Sequence, residues 1–322
     1  MSPTLSPDDV RVFITGGAGF IGWHIAKRFQ NAEQVTIFDT FARGEPQYLA
    51  EMSPRHVRVV KGDVVDREPL LKEMTGHNLV FHCAAHLGVT SVQASPLQTL
   101  DVNIRGSAAV LDAASSLKDL RRIVCFSTSE VYGLRAVQVA ESEPSSIPPP
   151  GDPRWSYAAS KLAEEHYAFA HYYQDQLPVV VVRPFNIYGP GQLGEGAIAN
   201  FIRRAIRREP LEVRSGGHQV RAWCFIDDLV DGVLLAASSP NAVGHAFNIG
   251  NPWEVETTLS LASRIVAATQ SDSLVRHVSG GAEVEARVPD ISKAAALLGY
   301  RPGVGLDEGI SHTIAWFRER LL

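Results

Sequence analysis

The chain has 322 residues, of which 45% are hydrophobic and 20% charged, and its formal net charge is -5. This length predicts one large domain or two closely associated domains with a sizeable core. The charge balance provides no basic surface for nucleic acid, and no apolar run is long enough to cross a bilayer. The first ten residues, MSPTLSPDDV, lack the charged and apolar regions of a signal peptide, so we expect a soluble cytoplasmic protein.

The three cysteines, Cys83, Cys125 and Cys224, lie in apolar surroundings without CxxC spacing. This pattern predicts buried free thiols in a reducing compartment, with no disulfide and no metal site. His82 and His86 are separated as in some metal sites, but one falls in a predicted strand and the other in the loop that follows. We therefore expect His82 to be a packing residue.

The first half of the chain alternates short β-branched runs with amphipathic segments. Apolar runs predict buried strands at residues 11–16, 34–39, 57–63, 78–85, 122–128 and 178–185. Helical patterns fall between them at residues 20–31, 95–116 and 155–175. The second pattern begins with Ser95 as N-cap and Pro96 at the first helical position. This alternation predicts a doubly wound parallel α/β sheet of the Rossmann type, with right-handed crossovers.

Beyond Phe185 the pattern is less regular and indicates a smaller C-terminal α/β substrate-binding domain. Helices are predicted near 195–208, from 258, near 292–298 and from 307, with short strands at 211–215 and 245–250. We predict a dinucleotide-binding domain over residues 1–184 and a substrate-binding domain over residues 185–322, with exchange of segments between them. The Pro/Ser-rich stretch 141–155 predicts an irregular loop, either a cover for a ligand or a solvated connector.

A glycine-rich stretch, ITGGAGFIGWHIA, joins the first predicted strand to the first helix. Gly16, Gly19 and Gly22 permit a tight turn, close approach to a phosphate, and packing of the helix on the strand. Asp39 ends the next strand, where a carboxylate accepts hydrogen bonds from both ribose hydroxyls of an adenosine. Because such a carboxylate repels a 2′-phosphate, we expect NAD rather than NADP. Arg43 is the one nearby residue that could bind a phosphate instead.

Further residues follow the third and fourth predicted strands at the edge of the sheet where a dinucleotide would lie. Asp63 is expected to touch the adenine, and Ala84 and Ala85 the pyrophosphate. The alternatives are that Asp63 caps a turn and that the alanines serve only close packing.

A Tyr-x-x-x-Lys pair, Tyr157 and Lys161, falls on one face of a predicted helix. A phenol with a pKa near 10 is a poor base at neutral pH, but a neighbouring ammonium stabilises phenolate and lowers that pKa. Tyr157 is then able to exchange a proton with a substrate hydroxyl. The stretch STSEVYG, residues 127–133, adds hydroxyls and the carboxylate of Glu130 at the end of another strand.

These motifs together resemble the extended short-chain dehydrogenase/reductase family, specifically its nucleotide-sugar epimerases and dehydratases. The resemblance covers nearly the whole chain and includes GGAGFIG, Asp39, GDV (62–64), FHCAA, VNIRGS (102–107), STSEVYG, YAASK, RPFNIYGPGQ (183–192), RAWCFIDDLVDG (221–232) and PDISKAAALLGYRP (289–302).

The resemblance implies NAD as cofactor and a UDP-linked sugar as substrate. It implies that NAD is bound by Gly16, Gly19, Phe20, Ile21, Gly22, Asp39, Asp63, Val64, Ala84, Ala85, Asn103, Tyr157, Lys161 and Pro184. Thr128 matches the hydroxyl partner of the tyrosine, and the substrate contacts would come from His86, Ser129, Asn186, Arg221 and Arg287. It further implies a homodimer formed by the helices around 95–117 and 155–175, and a core role for Trp223 and Phe225.

In this family, Tyr157 would take the proton of a sugar 4-hydroxyl while NAD oxidises that carbon to a ketone. The leading hypothesis is an NAD-dependent 4-epimerase of a UDP-hexose or UDP-hexuronate. The alternatives are a 4,6-dehydratase or a UDP-glucuronate decarboxylase that uses Glu130, which would otherwise be a scaffold residue. Gly191 replaces an arginine that often follows Tyr-Gly-Pro in uronate-acting members, which argues against a uronate. A non-catalytic NAD-sensing protein is the alternative of another class.

Overall fold

The computed structural model describes residues 9–43, 49, 52, 55–279 and 284–321. Residues 1–8, on which the expectation about a signal peptide mainly rests, lie outside this range. In the part of the chain that is described, no helix is both long and apolar enough to span a membrane.

The strands lie close to the positions that the apolar runs predict. They are β1 (Arg11–Thr15), β2 (Gln34–Asp39), β3 (Val57–Lys61), β4 (Leu79–His82), β5 (Arg122–Phe126), β6 (Arg135–Val139), β7 (Val179–Pro184), β8 (Ile187–Tyr188), β9 (Leu211–Arg214), β10 (Val220–Ala222), β11 (Cys224–Phe225), β12 (His245–Ile249), β13 (Val255–Thr257), β14 (Val275–Val278) and β15 (Ala286–Pro289).

The helices alternate with these strands through the first half of the chain. They are α1 (Phe20–Arg28), α2 (Arg67–Met74), α3 (Val89–Ala94), α4 (Pro96–Leu100), α5 (Gly106–Ser115), α6 (Ser156–Asp175), α7 (Ala197–Ile206), α8 (Ile226–Ser238), α9 (Thr258–Thr269), α10 (Ser292–Leu298) and α11 (Leu306–Leu321).

A seven-stranded parallel sheet in the order β3-β2-β1-β4-β5-β7-β12 forms the centre of the molecule. Along β1, Val12 and Ile14 belong to one buried cluster and Phe13 to the other, because side chains on a strand alternate between its faces. Helices cover both faces of the inner strands, which is why those strands are mainly apolar, whereas the edge strand β3 is only partly buried. The doubly wound α/β fold predicted from the sequence is therefore confirmed.

Two strands pair with strands from the other half of the chain. β12 follows residue 185 in sequence but pairs with β7 in the large sheet, with His245 beside Val180. Conversely, β6 belongs to a second sheet of order β13-β10-β15-β6, where it pairs in parallel with β15. The sequence did not indicate β6, because its partner strand lies about 150 residues later and its apolar pattern is short. The boundary at residues 184/185 itself remains a prediction.

The helix predicted over residues 95–116 is broken into three parts. α4 is followed by a π-helical turn over Asp101–Arg105 and then by α5. Ser95 and Pro96 hold the expected N-cap and first helical positions, but the Ser95 side chain does not cap the helix. Instead, its carbonyl accepts hydrogen bonds from the Thr99 N–H and hydroxyl, at 3.0 and 3.1 Å.

Candidate functional site

A cavity of about 920 Å³ runs along the carboxyl ends of the large-sheet strands. This is the edge at which doubly wound sheets bind their ligands. Its walls include almost every residue expected to hold the cofactor, namely Gly16, Gly19, Phe20, Ile21, Gly22, Asp39, Asp63, Val64, Ala84, Ala85, Tyr157, Lys161 and Pro184. The loop over residues 191–196 closes the other side.

Two residues of the glycine-rich stretch, Gly16 and Gly22, must be glycine for steric reasons. Gly16 has φ +67°, and a Cβ there would lie 2.6 Å from the backbone nitrogen of Ala84. A Cβ at Gly22 would lie 2.4 Å from the carbonyl oxygen of Gly16. Only glycine lets strand β4, the loop and helix α1 approach so closely, which leaves the helix N-terminus open toward the cavity.

Asp39 ends β2 beside this loop and is held by backbone groups. Its carboxylate accepts the N–H of Ala18 at 3.0 Å and that of Phe41 at 2.8 Å. Burial raises the pKa of Asp39, and these two hydrogen bonds oppose the rise. The Arg43 guanidinium donates to the carbonyl of Leu87, across the cavity mouth.

Asp63 follows β3 and has one of the two roles that the sequence suggested for it, while its contact with the adenine remains a prediction. Its carboxylate caps a turn by accepting a hydrogen bond from the Val65 N–H at 3.1 Å, and the residue also lines the cavity. The turn-capping alternative is thus present in the structure, and it does not remove Asp63 from the site.

At the inner end of the cavity, the Thr128 hydroxyl hydrogen-bonds to Tyr157, and Lys161 lies one helical turn further along α6. Burial raises the pKa of Tyr157 to about 12, while Lys161 and Thr128 lower it and Glu130 raises it. The expected effect of Lys161 is therefore present, but burial outweighs it. The ammonium that would stabilise a phenolate is thus in place, and ionisation of Tyr157 during the reaction remains a prediction.

Lys161 is engaged by a second carboxylate. Its Nζ lies 2.6 Å from Oε2 of Glu164, a residue that sequence reasoning did not use. Burial lowers the pKa of Lys161, but Glu164 and Tyr157 raise it by more, so the amine is a charged ammonium.

Glu130 lines the cavity between Tyr157 and a buried arginine. Its backbone N–H donates to the Thr128 hydroxyl at 3.2 Å, whereas no group in the described ranges donates a hydrogen bond to its carboxylate. The scaffold alternative, in which the carboxylate receives backbone hydrogen bonds, therefore finds no support. Its charge acts on both neighbours, since it raises the pKa of Tyr157 and that of Arg287.

Arg287 is 2% exposed, and neither of its terminal nitrogens has a hydrogen-bond partner among the described residues. Burial lowers its pKa to about 10, with Glu130 opposing and Arg221 and Arg154 adding to the decrease. A buried guanidinium without partners is costly, so this pair of nitrogens is well suited to an anion.

Arg154 is a cavity residue that the reading of the sequence missed. It lines the cavity three residues before Tyr157, and its guanidinium lies 5.3 Å from the centre of the Trp155 ring. Its place directly ahead of the Tyr-x-x-x-Lys motif was the signal that could have identified it.

Of the remaining residues expected to contact the ligands, one lines the cavity and several others do not. His86 lines the cavity, and Asn103 supports it by accepting its N–H at 2.7 Å and donating to its carbonyl at 3.0 Å. Asn103, Ser129, Asn186, Arg221 and Arg287 are not among the cavity-lining residues. The Asn186 amide donates to the carbonyl of Ala222 at 2.9 Å, and the Arg221 guanidinium donates to that of Val284 at 2.8 Å. Their substrate contacts remain predictions.

The cysteines are free, with Cys125 and Cys224 buried and Cys83 partly exposed, because Cys83 lines the cavity. Burial raises the pKa of all three thiols. Within the described ranges, no three histidine, cysteine or acidic residues are grouped so that they could hold a metal ion. Trp223 and Phe225 are buried at 7% and 4% exposure, as expected for core residues.

The residues present fit a dinucleotide. Gly16, Gly19 and Gly22 line the cavity near the N-terminus of α1, where a pyrophosphate would be bound, and they place no side chain in this space. Asp39 retains acceptor capacity on both oxygens for ribose hydroxyls. The cavity then continues from Asp39 past Ala84 and Ala85 to Tyr157 and Pro184.

Comparison with known proteins agrees with this geometry. Residues 12–250 match the profile of the NAD-dependent epimerase/dehydratase family. The chain is 33% identical over 320 residues to a UDP-N-acetyl-α-D-glucosaminuronate decarboxylase of Bacillus cytotoxicus, covering 96% of this chain and 98% of that protein.

Two solved structures show the same fold. A UDP-glucose 4-epimerase of Thermotoga maritima, solved with UDP-glucose, is 28% identical with a TM-score of 0.88, over 97% of this chain and 100% of that one. A dTDP-glucose 4,6-dehydratase of Streptomyces venezuelae, a double mutant with NAD bound, is 29% identical with a TM-score of 0.88, over 97% and 98%. The chain belongs to the NAD-dependent epimerase/dehydratase family, and its cofactor is NAD.

Proposed function

We propose that the protein is an NAD-dependent decarboxylase of a UDP-linked hexuronate. The observation that carries this proposal is the carboxylate of Glu130, which lines the cavity and accepts no hydrogen bond from the described residues. A 4-epimerase needs no acid or base at C5, because it returns the sugar with only C4 changed, so Glu130 would have no chemical role in it. The relative from Bacillus cytotoxicus, named as a decarboxylase of a UDP-linked uronate, supports the same choice over the 4-epimerase expected from the sequence.

The absence of an arginine at position 191 no longer argues against a uronate. Gly191 has φ +86°, and a Cβ there would lie 2.9 Å from the Trp23 ring. A side chain at this position would be strained and would press on the Trp23 ring, so another residue would have to bind the carboxylate of a uronate. Arg154, which lines the cavity three residues before Tyr157, supplies a guanidinium, and guanidinium matches a carboxylate in a two-point contact.

When bound, NAD supplies reversible oxidation of the sugar at C4. Tyr157, aided by Thr128, takes the proton of the C4 hydroxyl and later returns it. The resulting 4-keto uronate is a β-keto acid, so its C5–C6 bond breaks, C6 leaves as carbon dioxide, and the electron pair passes into the C4 enolate. C5 then needs one proton, and we assign its delivery from solvent to Glu130, which faces this space.

The test is incubation of the purified protein with NAD and UDP-glucuronate or UDP-N-acetylglucosaminuronate in deuterated water. We expect carbon dioxide release and a UDP-pentose-type product that carries one solvent deuterium at C5. C4 inversion without carbon dioxide would identify an epimerase and contradict the proposal. Turnover of UDP-glucose or dTDP-glucose to a 4-keto-6-deoxy sugar would identify a dehydratase and contradict it as well.

We also propose that the protein is a homodimer. The surfaces of α4 and α6 expose Leu97 at 82% and Tyr173 at 72%, in the two segments that the resemblance assigns to a dimer interface. Exposed apolar residues of this kind are often covered by a partner. A monomer in light scattering would contradict this part of the proposal.

A further inference from the structure

Glu164 lies directly behind the catalytic lysine, in a place where a charge is expensive. Helix α6 brings its Oε2 to 2.6 Å from Nζ of Lys161, and the two side chains are 1% and 2% exposed. Buried ion pairs can often be replaced by apolar residues without loss of stability. Packing alone therefore does not account for this carboxylate.

A buried chain of hydrogen bonds links Glu164 to the cofactor side of the sheet. The Ser107 hydroxyl hydrogen-bonds to Glu164, and Ser107 Oγ lies 3.0 Å from Nε2 of His82. Nδ1 of His82 lies 2.8 Å from the Thr15 hydroxyl, which accepts the Ala84 N–H at 3.3 Å. Burial lowers the pKa of His82 to about 3, so the ring is neutral.

Only one assignment of donors and acceptors satisfies every group in this series of hydrogen bonds. An ionised carboxylate can only accept, so Ser107 donates to Glu164 and accepts from Nε2–H of His82. Nδ1 of His82 then accepts from the Thr15 hydroxyl. The Ser107 hydroxyl thereby fixes the position of the Glu164 carboxylate. Oε1 of Glu164 is also buried and has no hydrogen-bond partner among the described residues.

The charge of this pair bears on the nicotinamide end of the cavity, which Lys161 and Tyr157 line. Without Glu164, the Lys161 ammonium would add one unit of positive charge there. The oxidised nicotinamide ring is a cation and the reduced ring is neutral, so such a charge would disfavour the oxidised form. Glu164 cancels it within the same buried region, where charges are poorly screened.

We propose that Glu164 is a positioning residue that anchors the Lys161 ammonium and makes the site prefer oxidised to reduced cofactor. The site thus returns to NAD+ readily after each transient oxidation of the sugar. This inference rests on NAD as the cofactor and is the same for a decarboxylase, an epimerase or a dehydratase. Its test can therefore fail independently of the proposed function.

The experiment compares the wild type, Glu164→Gln and Asp175→Asn, a matched change at the end of the same helix where the carboxylate is exposed. Each full-length protein is equilibrated with an equimolar mixture of NAD+ and NADH, freed of unbound cofactor, and analysed for the ratio of the two bound forms. We expect Glu164→Gln to lower the NAD+/NADH ratio on the order of tenfold and Asp175→Asn to leave it unchanged.

A merely structural role would weaken binding of both forms together and leave their ratio at the wild-type value, which would overturn the proposal. If Glu164→Gln does not fold, Glu164→Asp decides, because its shorter side chain loosens the pair. There we expect a smaller fall in the same direction, and an unchanged ratio counts against the proposal.

Discussion

The guanidinium of Arg183 forms a two-point contact with the carboxylate of Glu165, with Nε 2.8 Å from Oε1 and Nη2 2.6 Å from Oε2. Arg183 is on β7 and Glu165 on α6, and both are buried. The Ser127 hydroxyl also donates to this carboxylate. The Glu165 carboxylate therefore joins two strands, β7 and the end of β5 next to Thr128, to the helix that carries Tyr157.

Arg183→Met should destabilise the protein by about 3–5 kcal/mol, because it leaves the Glu165 carboxylate buried and without its cation. Urea unfolding measures the change. The matched control is Arg208→Met, which breaks the exposed pair of Arg208 with Asp272 and should cost less than about 1 kcal/mol. Equal losses in the two variants would show that burial of the Arg183 pair is unimportant.

Tyr157→Phe should retain bound NAD and lower turnover by about 10²–10⁴-fold, since the group that exchanges the sugar proton is lost. Cofactor content and product formation are measured on the same preparation. Tyr173→Phe, at an exposed position on the same helix, should have no effect. Wild-type turnover in Tyr157→Phe would remove Tyr157 from the chemistry.

Glu130→Gln should lower carbon dioxide release by about 100-fold while oxidation of the sugar continues. The fluorescence of NADH after addition of the UDP-uronate reports the oxidation, and trapped carbon dioxide reports the later step. Glu143→Gln, at an exposed position of the following loop, serves as the control. Undiminished carbon dioxide release from Glu130→Gln would return this residue to a scaffold role.

Gly16→Ala should cost about 1–2 kcal/mol from the left-handed backbone alone, and more from the contact with Ala84. NAD affinity should fall as well, because β4, the loop and α1 must separate. Thermal unfolding and NAD titration measure both effects. Gly151→Ala is the control, since its Cβ would meet no atom within 4 Å.

Acid should destabilise the fold through His82. Burial lowers its pKa to about 3 from the ordinary value of 6.5, so between these values the unfolded chain binds a proton that the folded one does not. Unfolding free energy should therefore fall as the pH drops below 6.5, by about 1.4 kcal/mol per pH unit from this residue. His82→Gln should flatten that slope between pH 6.5 and 5, whereas a change at the exposed His312 should not.

The strands and the cofactor end of the site were predictable because they depend on local patterns. Continuous apolar runs such as RIVCF occur where a strand is covered on both faces, and β5 is buried along its whole length. The glycine spacing and Asp39 follow from the turn between β1 and α1. The helix over residues 95–116 was predicted as one element, since nothing in its composition indicates the π-helical turn at Asp101–Arg105.

The substrate end of the site depends on contacts between residues that are far apart in the sequence. β6 is a strand only because β15 lies beside it, and Arg287 is brought near Glu130 by that same sheet. Glu164 looks like a surface residue in the sequence YAASKLAEEHY, yet it is as buried as its partner Lys161. Burial of a charge depends on what the rest of the chain places around it.

By itself, the amino-acid sequence determined the doubly wound fold and the choice of NAD, and it predicted the group of Thr128, Tyr157 and Lys161, because periodicity and motif spacing are local properties of the chain. Only the tertiary structure decided that burial raises the pKa of Tyr157, that the terminal nitrogens of Arg287 have no hydrogen-bond partner among the described residues, and that Glu164 faces Lys161. The physical reason is that desolvation and Coulomb interactions depend on residues far apart in sequence, and these set the charge of every group in the cavity.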